Sequence, residues 1–205
     1  MTRALEALRR GASEILGRPL TDHEAGLFSK HLDLLIKWQR SQRLIGSSNP
    51  RWIVDHLLLD SLLFLKVLPG EFKTILDLGS GAGFPGIPIK IAHRNIELTM
   101  VESRRKRTSF LSAVIRDLGL ANVRVINARV EEVVEELRGS FDVVVVRCVR
   151  DPGEVLPAAD TLLRHGGVAA LAGAPQARPL SMGRWAKVPG VRAGHTRNFV
   201  VYRKP

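Results

Sequence analysis

The chain has 205 residues, 45% of them hydrophobic, and a formal charge of +11. That length suits one α/β domain with an appendage, and the basic balance favours a polyanionic partner such as nucleic acid. The single cysteine, Cys148, excludes an internal disulfide and a cysteine-rich metal site, and no metal is expected. No apolar run reaches the roughly 18 residues of a membrane span. The N-terminus lacks the apolar stretch of a signal peptide, and Glu6 and Glu14 argue against a mitochondrial presequence. A soluble, cytoplasmic protein is expected, and a monomer.

Residues 1–70 read as a helical N-terminal extension and 71–205 as an α/β domain. Leu5, Leu8, Ala12, Ile15 and Leu16 recur at helical spacing. Thr21 and Glu24 have capping-box spacing ahead of a helix carrying Leu27, Phe28, Leu32, Leu35 and Trp38. Residues 46–50 form a loop, and Pro50 is placed to open a helix running from Arg51 to about Val67, before Pro69-Gly70. From Lys73, short apolar strands near 74–78, 96–101, 123–127, 141–146 and 167–171 alternate with helices, the clearest over Arg104 to Leu118. This alternation predicts a doubly wound, mostly parallel sheet. Tail strands around Trp185 to Val188 and Asn198 to Tyr202 bring it to seven. Cys148 closes an apolar strand and is expected to pack as a small hydrophobe.

The stretch with most chemistry is 75–88. Ile75, Leu76 and Leu78 form a short apolar strand, interrupted by Asp77 just before a turn holding Gly79, Gly81 and Gly83. Glycines there let the backbone approach a ligand. A strand, a glycine turn and a helix seat a nucleotide-like cofactor at the carboxyl end of a parallel sheet. Residues 81–86 also match G-x-G-x-x-G, so a nicotinamide dinucleotide is one reading. Glu102, about twenty positions on, suits a ribose in either ligand. S-adenosylmethionine is favoured by Asp77, which can meet the methionine ammonium or brace the loop. It is favoured too by Phe84, Pro85 and Pro88, which crowd the helix start that a pyrophosphate needs.

Residues 77–88, Val101-Glu102-Ser103 with Lys106-Arg107 and Phe110-Leu111, residues 127–132, and Phe141-Asp142 leading to Arg147 resemble the motifs of one family. It is the ribosomal small-subunit methyltransferase G family, also called glucose-inhibited division protein B. Lys30 to Trp38, His56 and Asp60-Ser61 fall where its N-terminal motifs do. The resemblance implies a Rossmann-like methyltransferase domain that transfers methyl from S-adenosylmethionine to N7 of a guanosine in 16S ribosomal RNA. The substrate would be that RNA or a small-subunit precursor. It also implies that Gly79, Phe84, Val130, Glu131 and Arg147 bind the cofactor. The chain departs from the family pattern at Arg43, Ile45, Val146 and Ala172, where the family usually carries Asn, Thr, Ser and Lys.

Guanine N7 has an exposed lone pair and no proton to lose. Catalysis by positioning is therefore expected, with no general base. Val130 and Glu131 sit past the third strand, where adenine should lie; Glu131 could equally be a carboxylate stabilised by a helix start. Arg147 ends the run Val143 to Val146 and could hold the cofactor or an RNA phosphate. Arg104, Lys106 and Arg107 belong to a basic run opening a helix, the end where cations are disfavoured, so an external anion such as RNA is expected there. The rival functions are a nicotinamide-dependent oxidoreductase and a non-catalytic RNA-binding module with a degenerate cofactor site.

Overall fold

The computed structural model describes residues 2–147, 151–173, 179–192 and 194–205. Cys148 lies outside the described residues. The seven strands are β1 (Thr74–Leu78), β2 (Glu97–Val101), β3 (Val123–Ile126), β4 (Phe141–Val146), β5 (Leu163–Ala172), β6 (Arg184–Pro189) and β7 (Thr196–Arg203). They form one sheet in the order β3-β2-β1-β4-β5-β7-β6. β1 to β5 pair in parallel, and β7 is antiparallel to both β5 and β6. Both tail strands are present, and β5 begins at Leu163 rather than 167 because helix α8 (Pro152–Leu162) runs straight into it.

The pleat sorts strand residues between two cores. Ile75, Leu98, Met100, Val143, Val145, Ala170 and Phe199 face one; Leu76, Leu78, Val101, Val144, Val146, Ala169, Leu171 and Val200 face the other. The first core is covered by α1 (Thr2–Leu16), α2 (Asp22–Gln42), α3 (Pro50–Ile53), α4 (Asp60–Leu62), α5 (Gly86–Ala92) and α6 (Arg105–Leu118). The second is covered by α8 and by α7 (Val130–Val133). Phe28, Phe64, Phe110 and Phe199 are fully buried in the first core, each contributing about 1.5–3 kcal/mol by burial.

The Thr21 capping box forms as expected: Glu24 N–H reaches the Thr21 hydroxyl at 3.2 Å, and Thr21 N–H reaches the Glu24 carboxylate at 2.8 Å. The helix expected over Arg51 to Val67 is not uniform. Between α3 and α4 it widens into π-helical turns at Val54–Leu59, and after α4 it tightens into a 3-10 turn at Leu63–Lys66. Such widened turns are frequent at functional sites, and this one carries Asp55 and His56. Among the described residues no helix is long and apolar enough to cross a membrane.

The crossover direction reverses between β1 and β4, which lie side by side in the sheet. A crevice opens at such a point beyond the carboxyl ends of the strands. The glycine turn leaves β1 there, and Arg147 leaves β4.

Candidate functional site

A cleft of about 680 Å³ occupies this crevice. One wall is the turn after β1, with Gly79, Ser80, Gly81, Ala82 and Phe84; another is the π-helical segment and its flanks, with Trp52 from α3, Asp55 and His56, and Asp60 from α4. The β6–β7 turn supplies Arg192 and His195, β7 supplies Arg197, and Arg107 and Arg147 reach in from α6 and from the end of β4. The volume lies in the range of small-molecule sites.

The glycines divide by role. Gly79 has φ +74° and a Cβ added there would meet nothing within 4 Å, so this backbone faces open cleft. Gly81 has φ +58°, and its Cβ would lie 3.6 Å from Arg107 Nη1. Gly83 is instead a packing position. Its Cβ would come within 2.3 Å of Ile87 and 3.2 Å of Leu111.

Asp77 and Glu102 hold the turn from beneath. Asp77 is fully buried, and its Oδ2 accepts the Gly86 N–H at 2.9 Å. Its Oδ1 has no partner among the described residues. Glu102 Oε2 accepts the Gly81 N–H at 2.9 Å, and Oε1 accepts the Arg104 N–H at 2.8 Å. Arg107 lies 3.5 Å from Oε2. Both carboxylates therefore brace the loop. Phe84 packs on the buried ring of His31, centroids 5.5 Å apart, and the Arg147 guanidinium carbon lies over the Phe84 ring, 6.0 Å from its centre. Burial pushes His31 down to about 3, so it stays neutral.

Burial also pushes Asp77 up to about 7 from an ordinary 3.8, with the Gly86 N–H and the Arg147 charge pulling the other way. Between those values the native protein keeps a proton that the unfolded chain has lost. Stability contributed by Asp77 is thus intact below about pH 4, declines as pH rises toward 7, and is lost above it. Urea unfolding of wild type and Asp77→Asn at pH 5 and pH 8 checks this. The variant should gain on wild type at the higher pH; a constant difference would contradict a buried neutral acid.

Of the sequence-predicted residues, the cleft brings together Gly79, Gly81, Phe84, Arg107 and Arg147. Asp77, Gly83 and Glu102 lie behind its wall. Val130 is half-buried against the second core, Glu131 is exposed in the first turn of α7, and neither lines the cleft. Arg104 and Lys106 are exposed at the start of α6. The basic run there has an internal anion, since Glu102 caps Arg104 and pairs with Arg107.

Arg147 donates to Asp60 Oδ2 at 3.2 Å and to the His56 carbonyl. The one-turn spacing of His56 and Asp60 suggests a bonded pair, but the two share Arg147 instead. Trp38 packs edge-on against Phe110 at 5.5 Å, as a core residue should. Trp52 lines the cleft and stacks on His56 at 4.8 Å. Arg192, His195 and Arg197 carry no local motif; only the pairing of β7 with β5 brings them here.

The family model described as rRNA small subunit methyltransferase G matches residues 25–180. The chain belongs to this family. It is 36% identical to the ribosomal RNA small subunit methyltransferase G of Chloroflexus aggregans over 82% of this chain and 71% of that protein. With the Desulforamulus reducens protein of the same name it shares 39% over 63% of this chain and 55% of the relative. The chain thus spans between about half and three quarters of the curated methyltransferase G relatives it matches. In fold it resembles P. horikoshii TYW2 in complex with MeSAdo, TM-score 0.57 at 12% identity, over 79% of this chain and 66% of that one. It also resembles a predicted O-methyltransferase, Atu636 of Agrobacterium tumefaciens, TM-score 0.55 at 23% identity, over 71% and 80%.

The site fits the family's cofactor, S-adenosylmethionine. Gly79 presents bare backbone to the cleft, and the buried Asp77 leaves one acceptor oxygen unused beneath it. A dinucleotide fits poorly. The start of α5 is buried, its Gly86 N–H is taken by Asp77, and a Cβ at Gly86 would lie 2.7 Å from that carboxylate.

Proposed function

We propose that this chain methylates N7 of a guanosine in 16S ribosomal RNA, with S-adenosylmethionine as donor. The observation that carries this is the glycine turn at the β1/β4 switch point, opening on a cleft rimmed by arginines, in a chain of the methyltransferase G family. When bound, the cofactor supplies an electrophilic methyl on a sulfonium. Guanine N7, with an exposed lone pair and no proton, would accept that methyl if the chain holds the two in line. Nothing must be deprotonated, so the chain's work is placement. Well-oriented reactants can account for about 7–11 kcal/mol of barrier lowering.

Gly79 and Gly81 allow close approach of the cofactor, and Asp77 and Glu102 hold the turn in that shape. Phe84, wedged on His31, limits the pocket and keeps water from it. We assign Val130 and Glu131, just past β3 and outside the cleft lining, to the adenine end of the cofactor, and Arg104, Lys106 and Arg107 to an RNA-facing edge. Residues 1–70 serve as an extension of the catalytic domain, sharing its first core. The protein acts in the cytoplasm, as a monomer, on the RNA or on a small-subunit precursor.

The test is calorimetry with S-adenosylmethionine, S-adenosylhomocysteine and nicotinamide dinucleotides. Both sulfur ligands should bind and raise Tm, by about 2.7 kcal/mol of stabilisation at a hundredfold excess over Kd. Dinucleotide binding with no response to either sulfur ligand would overturn the proposal.

A further inference from the structure

The part of the cleft built from Asp60, Arg147, Arg192 and Arg197 has cations without enough acids. Asp60 serves both Arg147, at 3.2 Å, and Arg197, at 3.1 Å, so one carboxylate faces two guanidiniums. Arg107 is matched by Glu102 and Asp55 by Arg51 at 2.9 Å, so neither supplies the missing negative charge. Arg192 meets no carboxylate among the described residues; its Nη2 lies 3.4 Å from His56 Nε2. His56 Nδ1 faces the Trp52 carbonyl at 3.0 Å, so a neutral ring protonated at Nδ1 leaves Nε2 as the acceptor. The Arg147 and Arg197 side chains are only 15% and 26% exposed. Excess charge at that depth is costly unless an anion joins it.

We propose that Arg192, on the β6–β7 turn, and Arg197, near the start of β7, form a phosphate subsite for the RNA backbone that positions the target nucleotide against the glycine turn. The proposal rests on the reading of the chain as an RNA methyltransferase. Arg197 keeps Nε and Nη2 on Asp60, at 3.1 and 3.3 Å, and has Nη1 left for a phosphate oxygen, while the Arg192 fork at the rim matches two. Arg197 is steadied from below by Phe199, 5.9 Å away, and Arg192 is exposed at the rim where a polymer can reach it. Arg192 and Arg197 come from the β6–β7 region, whereas the cofactor's seat is the turn after β1. The anion left for Arg192 and Arg197 is the substrate's.

The test titrates affinity for an unmodified 16S ribosomal RNA transcript against salt, for wild type, Arg192→Ala and Arg197→Lys. S-adenosylhomocysteine affinity is measured on the same preparations. Arg192→Ala should weaken RNA binding and flatten the log–log salt slope by about 0.7–0.9, one phosphate contact. Arg197→Lys keeps the charge, so the slope should hold while affinity falls severalfold, because lysine's single nitrogen cannot span Asp60 and a phosphate as the guanidinium does. S-adenosylhomocysteine affinity should stay within about twofold in both. An unchanged slope in Arg192→Ala overturns the proposal. So does a tenfold loss of S-adenosylhomocysteine affinity with RNA affinity intact, which would assign the cluster to the cofactor carboxylate. Wild type that binds no RNA at any salt fails the methyltransferase reading itself, and the subsite with it.

Discussion

Asp60→Ala is expected to lower stability by about 2–4 kcal/mol, short of the 3–5 kcal/mol for a fully buried pair because solvent still reaches these side chains. Asp60 is the shared acceptor of Arg147 and Arg197, and so ties the segment before β1 to β4 and β7. Without it, two guanidiniums face each other with no carboxylate between them. Denaturant unfolding should show a lower midpoint with an unchanged slope. Added salt should restore part of the loss. The double variant Asp60→Ala/Arg197→Ala should be more stable than Asp60→Ala alone, since one stranded charge is gone. If removing Arg197 as well makes matters worse, the aspartate is not what balances these arginines.

Glu102→Ala should weaken S-adenosylmethionine binding more than tenfold and also lower stability by about 2–3 kcal/mol. Its carboxylate accepts the N–H groups of Gly81 and Arg104 at 2.9 and 2.8 Å. Bonds to a charged acceptor are worth about 1.5–3 kcal/mol, and the freed donors lie in a part-buried site. Arg107 also loses its partner and is left at the start of α6, where the helix dipole opposes a cation by about 0.3–1 kcal/mol. Glu102→Gln keeps one acceptor oxygen and should recover most of the stability but not all of the affinity. Calorimetry and urea unfolding on the same preparations separate the two effects. A Glu102→Ala protein with wild-type stability would show that the turn holds its shape unaided.

The sheet was legible from residues 73 onward because most strands are short apolar runs bounded by turn residues; the start of β5 was not, since α8 joins it without a break. Even the weak strand at Trp185 forms, as β6 paired with β7. The N-terminal helices were legible from apolar spacing and the Thr21–Glu24 cap. What periodicity could not show was the π-helical widening at Val54–Leu59, since the apolar pattern there suits an ordinary helix equally well. In the cleft, the glycine turn and Arg147 could be read because each abuts a strand whose end is fixed by the sheet. Glu102 was identifiable as a site residue, but as a free strand-end carboxylate. That both its oxygens turn inward to backbone donors depends on how the turn folds back over β2. Arg192 and Arg197 lay beyond sequence reading altogether. Their place depends on β7 inserting between β5 and β6, a pairing between segments far apart in the chain.

Methyl transfer to RNA is the measurement that bears most directly on the account. Purified protein, labelled S-adenosylmethionine and 16S ribosomal RNA, both as naked transcript and in small-subunit particles lacking modification, should yield label at one guanine. Chemical cleavage specific for 7-methylguanosine should then cut at that single position, and protein denatured beforehand should give neither signal. Label on a guanine carbon-bound or exocyclic atom, on another base, or on no RNA at all in the presence of bound cofactor would contradict it.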